Sequence, residues 1–513
     1  MGQDISKAYT PPPLSFRDCL VDGRIDIARY MVYSQSQQID EDSEELEVLL
    51  PSNFKKRNIE INDTYSRKKA RRTPRSIKRF PILCRADDGS LRVATTEDSN
   101  WFRLYIAVPP VGERLLKSFR RRFRLPYNDF HLLCNDIKKH ELFQRWTYND
   151  AVGVKPSDIR LLLLGTLRYL GRSHTFDDAC ESTFISADVH RVFFQAFIEY
   201  GSTVLYEKHV LAPLKTTDMS RIENLFTIAG FNGCIGSSDG THIGLLCCPS
   251  WAFNNHKGFK LAIPSRNYNA TVAHWKQILG TTFGHPGTWN DKSLILFDEL
   301  IKNIHEGKLM ADNEFKLFEL DKDGNVIVIT YIGVWFLVDN GYLDWSTTVP
   351  PMKNPLTFEE IRFSEWLESM RKDIECTFGI MKKRFHVLKY GMRLQKISDC
   401  DKVWATCCAI HNRLLFIDEL DKHWDQSTKN KGHLKFDIPF SMQRLNSHED
   451  NEEIRFGTDY DDNFFDKYSH HGKRVVRKIP LDIFQERLVH HFDIRFKTND
   501  LAWPKRKNTE RKY

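Results

Sequence analysis

Phe363-Ser-Glu-Trp-Leu-Glu-Ser-Met-Arg-Lys-Asp-Ile-Glu-Cys-Thr-Phe-Gly-Ile-Met-Lys-Lys-Arg-Phe385 is the stretch that decides how this chain is read. Phe363, Leu367, Met370, Ile374, Phe378, Met381, Phe385 and Leu388 follow one another in steps of three or four only. That period belongs to a helix with one buried seam and predicts a helix over 357–388. Glu375 stands just beside the seam. At about 100° per residue, Arg371 lies about 40° to one side of it and Lys382 about 20° to the other. One carboxylate is thus flanked by two cations on a single face, with Gly379 beside it, where a glycine lets a ligand come close to the backbone. A carboxylate for a metal between two cations for phosphates suits an enzyme that acts on a nucleic-acid backbone. Taken alone, the same pattern is also that of a solvated i,i+4 ion pair.

Composition sets wide bounds around this helix. The chain has 513 residues and a net charge of +7, enough length for two to four domains and enough apolar content for a core. No run of about 18 apolar residues occurs, so no membrane partner is expected, and the N-terminus has no apolar segment of the secretory kind. Eleven cysteines without a Cys-x-x-Cys pair read as reduced thiols of an intracellular protein. Residues 1–95 read as a mostly disordered tail with a Pro run, an acidic block and the basic cluster Arg67–Arg79. That cluster suits nuclear import, and the expected location is the nucleus, although a generic solvated charge run has the same composition.

Residues 100–225 read as helical. Helices are expected over Tyr127–Ile137, from a Ser157 cap to Leu170, from a Thr175 cap to Ser182, and from a Ser186 cap to Tyr200. A short helix, a tight turn and a longer helix outline a helix-turn-helix, whose last helix would turn His190 and Arg191 outward to DNA. An ordinary helical bundle has the same outline. Residues 228–418 read as mixed α/β, with strands near 233–243, 269–275, 277–283 and 326–338 and helices over 292–304 and 402–417. Residues 419–513 read as a polar C-terminal extension with one more helix near 481–492.

Two aspartates precede the long helix. Asp239 leaves an apolar strand in Asp239-Gly-Thr-His242, and Asp291 ends His285-Pro-Gly-Thr-Trp-Asn-Asp291 ahead of a helix. Separately they read as a turn residue and a helix N-cap. Together with Glu375 they could converge on a pair of Mg²⁺ ions and act on a phosphodiester. Cys247-Cys248 and Cys407-Cys408 with His411 read as buried core rather than a zinc site. Asp321-Lys-Asp-Gly324 reads as a hairpin turn rather than a calcium loop. There is no phosphate loop of the Walker type.

Over residues 115–415 the chain resembles the PIF/Harbinger superfamily of DNA transposases. The resemblance is carried by Gly236-Ser-Ser-Asp239-Gly-Thr-His242-Ile243, Gly287-Thr-Trp-Asn-Asp291, Val338-Asp339-Asn-Gly341-Tyr342, the block Phe363–Phe385, and Cys407-Cys408-Ala-Ile-His411-Asn412. Departures are Ser364 where Asn is usual, Val338 where Gly is usual, and long extensions at both ends. The resemblance implies an RNase H-like domain with an Asp-Asp-Glu triad that uses two Mg²⁺ (or Mn²⁺) ions. On it Asp239, Asp291 and Glu375 are expected as catalytic metal ligands. Asp339, the competing acid, and His242 are expected in support. Arg371, Lys382, Lys383 and Arg384 are expected on phosphates, because they flank the assigned glutamate. The implied partners are double-stranded DNA carrying terminal inverted repeats, a Myb-like or MADF-type DNA-binding protein, and further copies of the chain when active. The rival reading is a host-adopted DNA-binding protein that has kept the fold without the reaction.

Overall fold

The computed structural model describes residues 83–85, 88–149, 153, 155–211, 216–321, 323–424 and 467–506, and a two-residue ladder pairing Leu20–Val21 with Arg24–Ile25. Met1–Phe80 and Pro81–Tyr513 are separate compact units. Most of the expected disordered tail, with the basic cluster Arg67–Arg79, lies outside the described residues.

The larger unit opens with Leu83–Arg85 paired antiparallel to Leu91–Val93, so the expected disordered tail does not extend to residue 95; five α-helices follow: α1 (Glu113–Phe123), α2 (Tyr127–Lys138), α3 (Ile159–Arg172), α4 (Phe176–Thr183) and α5 (Ala187–Tyr200). Thr175 and Asp178 form a capping box on α4, and Ser186 Oγ accepts from Val189 N–H on α5, as their spacing predicts. On α3 the cap is Asp158 and not Ser157: its carboxylate accepts from Arg160 N–H at 2.8 Å and also holds the Arg160 guanidinium. The helix then runs past Gly171 and ends where Ser173 turns left-handed at φ 55°. These helices share one apolar core with the sheet, in which Phe123, Leu163 and Phe197 join Tyr268, Ala270 and Val272. The helical region is therefore packed into the mixed α/β region, and Arg413 is bonded to Asp129 of α2 at 2.6 Å.

A further helix, α6 (Thr216–Ile228), leads into β1 (Cys234–Gly244), the centre of the main sheet. β2 (Ser265–Val272) and β3 (Ile278–Thr281) follow as an antiparallel meander on one side of β1. Next come α7 (Asp291–Ile295) and α8 (Glu299–His305). The single helix expected over 292–304 is broken because Asp298 caps α8 through Ile301 N–H, while its other oxygen accepts from Asn269 on β2. A hairpin of β4 (Glu314–Leu320) and β5 (Val326–Ile332) follows, turning at Asp321, whose carboxylate accepts from the N–H groups of Asp323 and Asn325. β4 escaped the sequence reading. β6 (Trp335–Leu337) then pairs parallel to β1, and β7 (Thr348–Val349) pairs parallel to β6. The main sheet thus runs β7-β6-β1-β2-β3, with His285–Pro286 as a sixth, short strand on β2.

The long helix α9 (Phe358–Arg384) starts at a Thr357–Glu360 capping box and stops where Phe385 leaves helical geometry; α10 (His386–Tyr390) then turns away. Every residue of its expected seam from Phe363 to Leu388 is buried. α11 (Ile397–Ile417) begins five residues earlier than the expected start at Lys402. The C-terminal region departs from the expectation of a polar extension. β8 (Ser469–His470) and β9 (Lys473–Val475) extend the β4–β5 hairpin, and α12 (Leu481–Lys497) buries Phe484, Leu488 and Phe492. Sequence composition hid this because the polar stretch before residue 467 dominates the average of the tail. Phe492 packs against Phe231, Phe363 and Trp366, so α12 is part of the core around the first half of α9. Phe492→Ala is expected to cost about 3–5 kcal/mol in urea unfolding; an unchanged midpoint would mean that the C-terminal helix does not hold this core.

Candidate active site

β1 alternates faces, so Asp239 and Thr241 point to one side and Gly240 and His242 to the other. On the first side lies α9. Arg371 of α9 reaches both Asp239 Oδ2 (3.4 Å) and Glu375 Oε1 (3.2 Å), so one guanidinium stands between two of the three expected catalytic carboxylates. Lys382 Nζ donates to Thr241 Oγ1 at 2.9 Å and to the His242 carbonyl at 3.4 Å, tying α9 to β1 at a second point. Burial depresses the pKa of this lysine. α9 is held further by Asp373, buried and bonded to His274 Nδ1 at 2.7 Å and to Lys276.

On the second side Asp291 covers β1. A methyl group at Gly240 would stand 2.9 Å from Asp291 Oδ1 and 3.4 Å from Asn267 Oδ1, so only glycine leaves room for this approach. Asp291 is not the cap of α7. Asn290 takes that role, accepting from Ser293 N–H at 3.0 Å, and its side chain frees the Asp291 carboxylate for the cluster. Asp339 follows the end of β6. Its Oδ1 accepts from Gly341 N–H at 2.8 Å, and a methyl group at Gly341 would touch both Asp339 Oδ1 (3.0 Å) and Asp291 Oδ2 (3.3 Å). Asp239, Asp291 and Asp339 therefore form one acidic cluster at the edge where β1 and β6 meet.

The charges respond to this crowding. Burial pushes the Asp239 carboxyl up to about 6; the Gly240 N–H and Arg371 oppose the rise, and Asp339 and Asp291 add to it. Asp291 is also raised, by burial first, with Lys260 pulling it back and Asp339 pushing it up. Lys260 Nζ lies 3.9 Å from Asp291 Oδ2. His242 bonds Ser265 Oγ through Nδ1 at 3.1 Å, and burial holds it down at about 4, so it is neutral near pH 7.

Asp291 Oδ1 and Asn267 Oδ1 are buried acceptors without a hydrogen-bond donor, both directed at the space over Gly240. Oxygen acceptors with no donor are the chemistry that Mg²⁺ or Mn²⁺ takes up. As arranged, however, no three His, Cys, Asp or Glu side chains among the described residues stand close enough to hold an ion. Arg371, paired with both Asp239 and Glu375, stands between these two carboxylates, and Glu375 is half exposed. In kind, the oxygen donors fit such ions.

Two expected DNA contacts are corrected by the structure. His190 is 1% exposed, packed on Gly165 of α3 and bonded to Thr183 Oγ1 at 2.8 Å, so it seals the α4–α5 corner and does not face outward. Arg191 does face solvent, but it pairs with Asp188 one turn away at 2.6 Å. Arg384 turns inward to His411 Nδ1 at 2.9 Å, and burial lowers its pKa to about 10. Lys383 is exposed. Gly379 has nothing within 4 Å of where a side chain would begin, so the α9 face beside Glu375 is open.

Three residues at the site escaped the sequence reading. Asn267 and Asn269 belong to a polar alternation on β2, Ser265-x-Asn267-x-Asn269-x-Thr271, which lies buried instead of facing water. Buried polar residues every second position were the available signal. Lys260 sits in Lys257-Gly258-Phe259-Lys260, where a 92% exposed phenylalanine between lysines marks a rim rather than a core.

Residues 208–423 match the model of a family described as plant transposon protein. The matched stretch contains the acidic cluster and all of α9, and it supports a transposase-like protein. No curated protein and no solved structure is significantly similar to the chain. Among the described residues no helix is long and apolar enough to cross a membrane.

The raised Asp239 carries a stability signature. Its folded pKa of about 6 exceeds the ordinary 3.8, so the folded state binds this proton more tightly. The resulting stabilisation is complete below the ordinary value and is lost as pH rises through the folded one. Asp239→Asn, with no charge to bury, is therefore expected to be more stable than the parent at pH 8 by up to about 3 kcal/mol. The two proteins should converge below about pH 4 in urea melts; a constant difference across that range would show that the cluster does not strain Asp239.

Proposed function

We propose that this transposase-like chain is a DDE-type nuclease of the PIF/Harbinger kind, cutting DNA phosphodiesters with two divalent cations on an RNase H-like sheet. The observation that carries the reading is strand register. Ser237 of β1 pairs with Leu337 of β6 in parallel, so continuing that register puts Asp339, just past the end of β6, beside Asp239, midway along β1. Glu375 arrives from α9 on the same side as Asp239. This register favours Asp239, Asp339 and Glu375 as the triad. Asp291, which the sequence reading ranked ahead of Asp339, becomes the supporting carboxylate on the far side of Gly240.

When bound, the two ions would polarise the scissile phosphate and acidify the attacking water or 3′-hydroxyl. The chain's own residues do the rest. Asp239, Asp339 and Glu375 supply the oxygens, and the bonds from Gly240 N–H and Gly341 N–H hold two of those carboxylates in orientation. Arg371 neutralises Asp239 and Glu375 in the resting arrangement, and on release its guanidinium is within reach of a phosphate on the same face. Lys382 fixes the helix to the strand, while Lys383 stays exposed for the backbone of the substrate. Double-stranded DNA with terminal inverted repeats is the proposed substrate, in the nucleus, with an oligomer of the chain as the active form and a Myb-like or MADF-type protein as DNA-binding partner.

One observation favours the second reading, a non-catalytic DNA-binding protein: the guanidinium of Arg371 stands where a shared cation would neutralise Asp239 and Glu375. Plasmid nicking in Mg²⁺ and in Mn²⁺ separates the two. Asp239→Asn, Asp339→Asn and Glu375→Gln are each expected to lower nicking by at least about a hundredfold while duplex binding survives. Asp291→Asn should cost less than Asp339→Asn. Parent protein that binds duplex and nicks in neither ion would establish the second reading, and full activity of Glu375→Gln would remove the triad.

A further inference from the structure

A second charged site lies past the end of α9. Arg122 and Arg124 sit at the C-terminus of α1, Arg168 and Arg172 at the C-terminus of α3, and His386 and Lys389 on α10. Contacts join them. Arg124 Nη2 donates to the Gly171 carbonyl at 3.1 Å and Arg168 Nη1 to the Arg122 carbonyl at 3.4 Å. Arg168 also lies over the Phe123 ring and meets His174 Nε2 at 3.3 Å. None of the four arginines forms an ion pair with a carboxylate among the described residues, whereas neighbouring Arg120 is paired with Asp418. Asp178, an acid that acts on Arg168 through space, is occupied by the capping box of α4.

Two helix C-termini meet here, and each offers about half a negative charge. They offset roughly one of the four positive charges, so the excess remains. Mutual repulsion is felt: Arg124, Arg168 and His386 are all lowered, by burial first and by one another's neighbours second. Arg124 Nε, Arg168 Nε and Ser173 Oγ are buried and have no hydrogen-bond partner. Arg122 donates to Tyr105 Oη, and it and Arg172 are exposed, so cations without a carboxylate partner face solvent here and suit an anion with several acceptor oxygens.

Position says which anion. The exposed stripe of α9, from Glu375 through Gly379 to Lys383, leads directly to His386 and Lys389. From Glu375 to the end of α9 at Arg384 is about 14 Å of helix axis, or about four base pairs of duplex. We propose that Arg122, Arg124, Arg168 and Arg172, with Lys389, form a phosphate-binding site that anchors the DNA backbone past the end of α9, about four base pairs or more from Glu375. This rests on the reading that the cluster faces DNA, but not on its being able to cut.

The test is duplex binding by the full chain without divalent ions, followed by anisotropy across a potassium chloride series. Arg122 and Arg172 are exposed, so Arg122→Gln/Arg172→Gln is the variant of choice. Two lost phosphate contacts should reduce the slope of log K against log salt by about two and weaken binding severalfold at every salt, whatever the DNA sequence. Arg122→Lys/Arg172→Lys, which keeps the charge, should retain the slope, and equal melting temperatures establish that all three proteins are folded. An unchanged slope in a folded Gln variant overturns the proposal. Inorganic phosphate at constant ionic strength supplies the other arm: stabilisation that the Gln variant loses while its duplex slope stays at the parent value assigns the site to a free anion and overturns the DNA assignment. Because no metal is present, a fallen slope in a protein that never nicks keeps the anchor and removes the nuclease. Parent-level nicking by a variant with unchanged slope does the reverse.

Discussion

Everything at the site depends on how α9 is held across the sheet. Its seam serves two cores: Phe363, Trp366, Leu367 and Met370 pack with the β6 strand and the C-terminal helix, and Ile374, Phe378, Met381 and Phe385 pack with β2 and the N-terminal helices. Glu375 lies where the helix passes from one core to the other. Burial of eight large apolar residues along one line makes sliding or rotation of α9 costly, since each would expose or misplace side chains worth about 1.5–3 kcal/mol apiece. Asp373 with His274, and Lys382 with Thr241, then pin the register by directional bonds. A helix so constrained can present a carboxylate to a strand without drift.

Against that rigid frame the acidic residues are in tension. Three aspartates share one sheet edge, with burial raising two of them. Arg371 and Lys260 are the cations that make the arrangement tolerable at neutral pH, one on each side of β1. The buried polar face of β2 adds to the cost and is mostly satisfied: Asn269 bonds Ser238, Asp298 and Tyr342. Asn267 Oδ1, Asp291 Oδ1, Ser237 Oγ and His242 Nε2 are left without partners there.

Much of this was legible in the chain. The seam of α9, the Thr175 and Ser186 caps and the Asp321 turn follow from local periodicity and capping chemistry, which depend on residues a few positions apart. Asp239 and Glu375 were legible for a similar reason, one leaving an apolar strand and the other flanked by cations on a helix. What misled was local chemistry with two uses. An Asp ahead of a helix reads as its cap, yet Asn290 caps α7 and leaves Asp291 free. A histidine on an amphipathic helix reads as outward until Gly165 makes room for it inside.

The sequence by itself determined which segments are helices and strands, which helix faces are buried, and which acidic residues are candidates, because these are consequences of period and composition. Only the tertiary structure brought Asp339 beside Asp239, since that depends on β6 pairing parallel to β1 across some hundred positions of chain. It also decided that Arg371 faces carboxylates, that Arg384 points inward, and that residues 467–506 belong to the core. Charges and packing partners far apart in sequence meet only after the chain closes on itself, and no local pattern records that meeting.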